Sequence, residues 1–315
     1  MELSEEAPKA TLIKLEKIAW YHENFDPKTR RFIGKGYFGS VFSIFHKKSK
    51  QNVALKFVET KEEKLNEAVE ELVRTKSLCH PNIIKIIDHR IEIKEGVVFL
   101  LLVMELGWKS LLDYLNERKM NENEFEQAMR SLAAALAYAH SEKTVHCDLK
   151  PQNIILFQNP KSQFGYTLKI SDWGSAYQYR GSNQETSEKP NMCFTPFFVA
   201  PEFKVDGEDD DRLDYGNYYL GDIYALGATL LCCGGIEIKE LSSISQEKTK
   251  EQFEKFLDNL LEKIKSNSIC NLELHLGIRK MANFDQNKRE LPFPSEPEEK
   301  KEQVKLMQLN SHKIY

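Results

Sequence analysis

The most informative part of this sequence is the run Val145-His146-Cys147-Asp148-Leu149-Lys150-Pro151-Gln152-Asn153. It places an acid at Asp148, a cation at Lys150 and an amide at Asn153 within one short segment. Phosphoryl transfer depends on positioning and on electrostatic stabilisation of the moving phosphate, so it needs a base, a phosphate-binding charge and a metal ligand close together. A run this short can arise by chance, and its meaning depends on partner motifs elsewhere in the chain.

A glycine-rich run lies upstream, at Gly34-Lys35-Gly36-Tyr37-Phe38-Gly39-Ser40-Val41. Glycines allow a loop to fold over a triphosphate, because side chains would hold the backbone N–H groups away from the phosphate oxygens. The same spacing also occurs in dinucleotide-binding folds and in plain turns. Residues 42–45 predict a second strand, whereas a dinucleotide-binding fold would begin a helix there. The run is not a Walker A loop, since no lysine precedes Ser40.

Two further segments carry charges that suit the same chemistry. Apolar residues 53–55 predict a strand that leads to Lys56, although an exposed lysine at a strand end is the plain alternative. Residues 168–174 predict a short strand that enters a tight turn at Asp172. A carboxylate at that turn suits a hard divalent cation, which prefers oxygen ligands.

In this order, the motifs resemble those of the eukaryotic protein kinase superfamily, serine/threonine type. Residues 195–202 resemble the substrate-side loop that ends in Ala-Pro-Glu, and residues 221–227 resemble the start of a large buried helix. Residues 284–289 resemble the segment whose arginine pairs with that glutamate. The resemblance implies an α+β, two-lobed protein-kinase fold. Its N-lobe would hold a five-stranded antiparallel sheet with one main helix, and its C-lobe would be mostly helical.

The resemblance also implies a reaction, the transfer of the γ-phosphoryl group of ATP to serine or threonine hydroxyls of protein substrates. Asp148 would orient the acceptor hydroxyl and take its proton. Lys150 would neutralise charge on the transferred group, and Lys56 would position the phosphates. Asn153 and Asp172 would hold Mg²⁺.

A helix is predicted from about residue 63 to residue 78, because apolar residues recur there at helical spacing. The resemblance implies that this helix carries the glutamate that orients Lys56, and it points to Glu71. Glu67 and Glu70 are nearby competitors. A solvated acidic helix face is the plain alternative for all three glutamates.

The resemblance further implies an adenine site, with Met104 as the gatekeeper and residues 105–107 as the hinge. Core filling is an alternative role for Met104 that is compatible with the first. The residues implied to bind the nucleotide are Ile33, Gly34, Gly36, Gly39, Val41, Ala54, Lys56, Glu71, Met104, Glu105, Gly107 and Ile155.

Supporting roles are implied for five more residues. His146 would stack in the inner core, with no acid–base role. Asp222 would hold the backbone of the catalytic loop, and Glu202 would form an ion pair with Arg289. Thr195 in the substrate loop resembles the serine/threonine branch of the family.

The predicted organisation has four parts. Residues 1–28 form an extension, whose amphipathic segment 11–21 is expected to pack on the lobe. Residues 29–107 form the N-lobe and hinge, residues 108–294 the C-lobe, and residues 295–315 a charged tail. Strands are expected near 30–34, 40–46, 51–58, 83–89 and 96–104. Later helices are expected near 109–117, 122–141, 220–233 and 247–265.

Composition excludes several other classes of protein. A net charge of −4 and a pI of about 6.1 argue against a nucleic-acid partner, which would call for basic clustering. The longest apolar stretches fall short of the roughly 20 residues of a membrane helix. The six cysteines lack metal-ligand spacing, and the acidic N-terminus does not resemble a signal peptide. We therefore expect reduced thiols and a cytoplasmic location, with the nucleus as an open alternative. No regulatory partner is indicated.

Three residues depart from the family pattern. Trp173 stands where a phenylalanine is usual, Cys147 replaces an arginine, and Thr75 is polar where the helix usually has an aliphatic residue. These departures keep open a pseudokinase scaffold that binds nucleotide weakly or not at all. A small-molecule phosphotransferase with the same core is a further alternative, although residues 195–202 fit it poorly. Against the scaffold, every charged group that the chemistry needs is present.

Overall fold

A computed structural model describes residues 8–36, 39–178, 195–203, 216–241, 249–266 and 271–292. The chain divides into two compact units. The first comprises residues up to 78 together with residues 84–107, and the second comprises residues 79–83 and those from 108 onward. In the described part of the chain, every helix is too short or too polar to cross a membrane.

The first unit is built on an antiparallel sheet of β1 (Phe25–Gly36), β2 (Gly39–His46), β3 (Gln51–Lys61), β4 (Ile86–Lys94) and β5 (Val97–Glu105). The strand order is β1-β2-β3-β5-β4. Strand β5 lies between β3 and β4 and is almost continuously apolar, because apolar clusters cover both faces of the sheet. The predicted five-stranded antiparallel sheet is therefore confirmed.

Helices lie on both faces of this sheet. The main helix, α3 (Leu65–Ser77), places Leu72 in a cluster with Ile86, Leu100 and Leu102. Two shorter helices, α1 (Lys9–Leu15) and α2 (Ala19–Asn24), pack on the opposite face. The predicted packing of the amphipathic segment 11–21 is thus confirmed, with α1 and α2 as additions to the single main helix.

Two strand boundaries differ from the prediction. Strand β1 begins at Phe25, since this fully buried side chain continues the core from α2. The predicted boundary between residues 28 and 29 consequently falls inside β1. Strand β4 runs over 86–94 and not over 83–89, because Ile83 forms an isolated parallel bridge with Ile170 of the second unit, to which it belongs.

The second unit is mostly helical, as predicted. Within the described residues its helices are α4 (Leu111–Glu117), α5 (Glu122–Ser141), α6 (Gly216–Cys233), α7 (Lys250–Ser266) and α8 (Leu272–Met281). Helix α8 is absent from the sequence-based expectations. Short strands form two small sheets. One has the order β6-β8-β9 and the other pairs β7 with β10, where the strands are β6 (Lys109–Ser110), β7 (Thr144–Val145), β8 (Ile154–Gln158), β9 (Tyr166–Ile170) and β10 (Tyr177–Gln178).

Helices α5 and α6 flank residues 146–153 in sequence; α5 begins at a defined N-cap, and α6 packs closely on its neighbours. Asn121 caps α5 in a reciprocal capping box with Glu124, which satisfies backbone N–H groups at the helix start. Helix α6 is apolar on nearly all sides, which is typical of a buried helix. At Gly227 a side chain would meet the backbone of Ala282 at 2.9 Å, so α6 and the end of α8 approach too closely for any other residue.

Candidate active site

The predicted catalytic loop, residues 146–153, connects β7 to β8 and is held by a buried carboxylate. Asp222 on α6 accepts hydrogen bonds from the backbone N–H groups of His146 (2.7 Å) and Cys147 (2.9 Å). Cys147 has a φ of 63°, in the left-handed region that costs free energy for a residue with a side chain. The two hydrogen bonds to Asp222 therefore hold a loop that would not adopt this shape by local preference.

The side chains of the loop converge on the Asp148 carboxylate. Its Oδ2 atom accepts from Lys150 Nζ at 2.7 Å and from Asn153 Nδ2 at 3.1 Å. Its Oδ1 atom accepts from the hydroxyl of Thr195 at 2.7 Å. Lys150 Nζ also donates to Thr195 Oγ1 at 2.7 Å. An acid, a cation and an amide from one motif and a hydroxyl from another thus form one hydrogen-bonded group.

Asp172 follows β9 after one residue, Ser171, which contacts the same loop. The backbone N–H of Ser171 donates to the carbonyl of Asn153 at 2.8 Å, which ties the two segments together. Asp172 itself adopts a left-handed backbone with φ 60° and ψ 62°. An amide oxygen at Asn153 and a carboxylate at Asp172 are ligands that suit Mg²⁺, which usually takes one or two protein carboxylates and completes its shell with phosphate and water. The described residues hold no cluster of three or more His, Cys, Asp or Glu side chains arranged for a metal.

The inner core beside this turn is formed by Trp173 and His146. Their ring centroids lie 4.6 Å apart, the angle between the ring planes is 57°, and both side chains are buried. His146 Nε2 donates to the carbonyl of Ser171 at 3.0 Å, and His146 Nδ1 accepts from the N–H of Asp148 at 3.2 Å. Both imidazole nitrogens are occupied, which is consistent with a structural role. Trp173 Nε1 is buried and has no hydrogen-bond partner among the described residues.

Lys56 lies on β3 in the first unit and is 7% exposed. It pairs across the sheet with Val41 of β2 and with Leu102 of β5, so its backbone position is fixed from both sides. The helix α3 carries Glu71, but the side chains of Glu67, Glu70 and Glu71 lie outside the described residues. The choice among these glutamates therefore stays a prediction.

The glycine-rich run forms the end of the β1–β2 hairpin, in which Gly36 pairs with Gly39. This arrangement agrees with a strand after the glycines and not with the helix of a dinucleotide-binding fold. Gly39 has a φ of 147°, and a Cβ atom there would lie 2.2 Å from the carbonyl oxygen of Phe57. No other residue fits at this position. Tyr37 and Phe38 lie outside the described residues.

The remaining residues predicted to bind nucleotide are distributed over both units. Ile33 and Gly34 lie on β1, and Ala54 is buried on β3. Met104 packs on the cluster that contains Leu72, so its core-filling role is present. Glu105 accepts from the backbone N–H of Lys85 at 2.7 Å. Gly107 ends the first unit, and Ile155 lies on β8 of the second.

The substrate-side segment is fixed by the expected pair of Glu202 and Arg289. The guanidinium binds both carboxylate oxygens, with Nη2 to Oε2 at 2.7 Å, and the Arg289 side chain is fully buried. Nε of Arg289 donates to the carbonyl of Asn283 at 2.7 Å, and the group stacks on the Tyr224 ring at 5.0 Å. This pair links residues 195–203 to the segment after α8.

One supporting residue was not predicted. His140 at the end of α5 lies 3.0 Å through Nε2 from the Asp222 carboxylate, the same group that holds the catalytic loop. The rings of His140 and Tyr219 pack edge to face, with their centroids 4.9 Å apart. His140 and Asp222 lie 82 residues apart in sequence, so no local pattern could have connected them.

Comparisons with known proteins agree with this geometry. A family model described as "Protein kinase domain" matches residues 28–297. The phosphorylase b kinase gamma catalytic chain, liver/testis isoform, of Bos taurus is 32% identical over 223 residues, which are 67% of this chain and 50% of the relative. The SNF1-like protein kinase ssp2 of Schizosaccharomyces pombe is 35% identical over 179 residues, which are 55% of this chain and 28% of that protein. The MAP kinase-activated protein kinase 2 of Oryctolagus cuniculus is 33% identical over 179 residues, 55% of this chain and 46% of that protein. The matched part thus spans half or less of the length of these relatives.

Proposed function

Because the chain belongs to the protein kinase family, we propose that it is an ATP-dependent serine/threonine kinase that phosphorylates protein substrates. The observation that carries the proposal is the Asp148 group. A carboxylate holds a hydroxyl at 2.7 Å, and a lysine contacts both of them. A carboxylate that binds a side-chain hydroxyl in this way has the reach that a general base needs for an acceptor serine or threonine.

The chemistry follows from the same contacts. Asp148 orients the acceptor hydroxyl and takes its proton while the hydroxyl oxygen bonds to the γ-phosphorus of ATP and ADP leaves. Lys150 lies beside the reacting oxygen and stabilises negative charge on the transferred group. Asn153 and Asp172 would hold Mg²⁺, which when bound neutralises charge on the phosphate oxygens. The protein contributes positioning and fixed charge, which are the main requirements of phosphoryl transfer.

Residues of the first unit would bind the nucleotide. Lys56, oriented by Glu71, would position the phosphates, and the backbone of the glycine-rich run would cover them. The backbone of residues 105–107 would pair with the adenine edge beside Met104. Gly39 is required by the hairpin itself, because a Cβ atom there would meet the carbonyl oxygen of Phe57.

One observation favours a second candidate, a pseudokinase scaffold. The buried Trp173 Nε1–H group lacks a partner among the described residues, and such a group costs about 1–3 kcal/mol. This cost destabilises the turn that carries Asp172. The intact hydrogen-bonded group around Asp148 supports the active kinase over the scaffold.

The test is the transfer of labelled γ-phosphate from Mg·ATP to a mixture of generic proteins, followed by identification of the labelled amino acid. We expect acid-stable phosphoserine or phosphothreonine. Small alcohols, offered in parallel, are expected to stay unlabelled. Labelled alcohols without labelled protein would point to a small-molecule phosphotransferase. Absence of any transfer by folded, nucleotide-binding protein would support the scaffold.

A further inference from the structure

The N-terminal residues 8–24, here named the cap, cover the face of the first unit's sheet that lies away from Lys56. Leu15, Ile18 and Tyr21 of the cap are at most 1% exposed. They belong to one apolar cluster with Phe25 and with side chains from β2, β3 and β5. The sheet residues of this cluster are Phe42, Ile44, Val53, Leu55, Phe57, Phe99, Leu101 and Val103. The cap therefore forms part of the hydrophobic core of the first unit.

Polar contacts tie the cap to strands β1, β3 and β4 of the sheet and to the turn that follows β2. Lys14 binds both carboxylate oxygens of Glu59 on β3, at 2.6 and 2.5 Å. The other ties are Arg30 to Glu16 (2.7 Å) and to the Tyr21 hydroxyl (2.7 Å), Lys94 to the carbonyl of Lys17 (2.8 Å), and Lys47 to the carbonyl of His22 (2.6 Å). Exposed ion pairs contribute little free energy individually. Their effect here is to fix the orientation of a cap that apolar burial holds in place.

The cap backs the strand that carries Lys56. Side chains alternate between the two faces of a strand, so Leu55 and Phe57 point into the cap cluster and Lys56 points to the opposite face. Glu59, on the cap side of the same strand, is held by Lys14. The cap thus fixes β3 on both sides of Lys56 in sequence. The family match begins at residue 28, so the cap lies outside the matched domain.

We propose that the cap is a positioning element for Lys56, with Leu15, Ile18 and Tyr21 acting through Leu55 and Phe57. This inference rests on the proposed function, in which Lys56 binds the phosphates of ATP. A functional group must be held to within about 0.5 Å of its productive position to act at full strength. A long lysine side chain meets that requirement only if its strand is fixed from behind. The cap supplies the layer that fixes it.

The first test compares binding of Mg·ATP and of adenosine to full-length Leu15→Ala and wild type by calorimetry. Ile13→Ala is the matched control, because Ile13 lies on the same helix and is 59% exposed. We expect Leu15→Ala to weaken ATP binding by about tenfold, equivalent to about 1.4 kcal/mol, and to leave adenosine binding unchanged. Ile13→Ala is expected to bind both ligands like wild type. An equal loss for both ligands, or no loss for either, would overturn the proposal.

The second test is a double-mutant cycle with Lys56→Met, which separates positioning from general destabilisation. In the Lys56→Met background, Leu15→Ala is expected to have no further effect on ATP binding. The same tenfold loss in that background would overturn the proposal. If Leu15→Ala unfolds the first unit, the milder Ile18→Val replaces it in both tests, with a smaller expected loss of ATP affinity. Equal ATP affinity of wild type and Lys56→Met would overturn the proposed role of Lys56 and this inference with it. If Lys56→Met weakens ATP binding but Leu15→Ala has the same effect in both backgrounds, only the inference about the cap is overturned.

Discussion

Thr195 donates its hydroxyl hydrogen to Asp148 at 2.7 Å, across 47 residues of sequence. The contact joins the substrate-side segment to the catalytic loop, and Lys150 bridges the same two side chains. It shows where a hydroxyl can be held on this carboxylate. It also gives Thr195 a measurable part in the orientation of Asp148 and Lys150.

Replacement of Thr195 by valine should reduce turnover of a protein or peptide substrate. Valine keeps the shape and removes the hydroxyl, and hydrogen bonds to a charged group are worth about 1.5–3 kcal/mol. We therefore expect kcat/KM to fall by about tenfold or more. Thr195→Ser, which keeps the hydroxyl, is the matched control and should lose much less. Wild-type kinetics for Thr195→Val would contradict the role given to this contact.

The substitution Trp173→Phe tests the departure from the family pattern at the turn that is proposed to hold Mg²⁺. It removes the buried N–H group that lacks a partner, and it also leaves space beside His146. These effects oppose each other, so we expect the free energy of unfolding to change by less than about 2 kcal/mol. Trp173→Ala should lose about 3–5 kcal/mol because the whole ring is lost. Both values can be measured by urea denaturation.

The activity of Trp173→Phe bears on the scaffold alternative. We expect the wild-type turn, with Trp173, to support phosphate transfer already. The kcat of Trp173→Phe should therefore stay within about tenfold of wild type, which corresponds to about 1.4 kcal/mol. An inactive wild type that gains transfer activity only with phenylalanine would instead identify Trp173 as the residue that silences the site.

Removal of the Glu202 carboxylate should destabilise the second unit strongly, because it would leave the buried Arg289 guanidinium without its partner. Arg289 is fully buried on its side-chain atoms, and removal of one partner from a buried pair typically costs about 3–5 kcal/mol. We expect Glu202→Gln to lower the free energy of unfolding by several kcal/mol, measured by thermal and urea denaturation. The control is Glu237→Gln, whose carboxylate pairs with Lys239 on the surface, with side chains 63% and 79% exposed. That change should cost less than about 1 kcal/mol, and similar losses for both variants would contradict the prediction.

Stability of the first unit should fall in mild acid because of His46. Burial lowers the pKa of His46, with Lys48 acting in the same direction and Asp88 against it. The folded state therefore keeps this imidazole neutral, while the unfolded state takes up a proton below its ordinary pKa of about 6.5. The contribution of His46 is present above about pH 6.5 and is lost as the pH falls below that value.

The pH prediction can be checked by denaturation at about pH 7.5 and about pH 5.5. The loss of stability between these pH values should be smaller in His46→Asn than in wild type. Ile13→Ala is the control, because it changes an exposed side chain that has no titratable group, and it should keep the wild-type pH dependence. The same pH dependence in His46→Asn and wild type would contradict the assignment.

The sequence motif predicts that Asp148, Lys150 and Asn153 act together, because an acid, a lysine and an amide at this spacing suit one kind of chemistry, and the structure joins the three side chains by hydrogen bonds. Their catalytic role stays a prediction. The five strands are predicted in the same way, from apolar runs between turns. The boundary of β4 is not, because the bridge from Ile83 to Ile170 depends on a contact 87 residues away. The contact of His140 with Asp222 and the close approach at Gly39 escape prediction for the same reason. The cap is intermediate: its amphipathic pattern predicts packing on the lobe, but only the structure shows that Leu15 lies behind Leu55 and Phe57.

The proposed role of Asp148 as the general base is tested by the ratio of kcat between wild type and Asp148→Asn in the transfer of phosphate to protein. Asp258→Asn serves as the control, since that carboxylate lies on α7 and pairs with Arg279 at the surface. We expect kcat to fall by about 10²–10⁴-fold for Asp148→Asn, which is the usual contribution of a general base. Asp258→Asn should keep the wild-type kcat. Transfer activity that persists undiminished in a correctly folded Asp148→Asn variant would contradict the account.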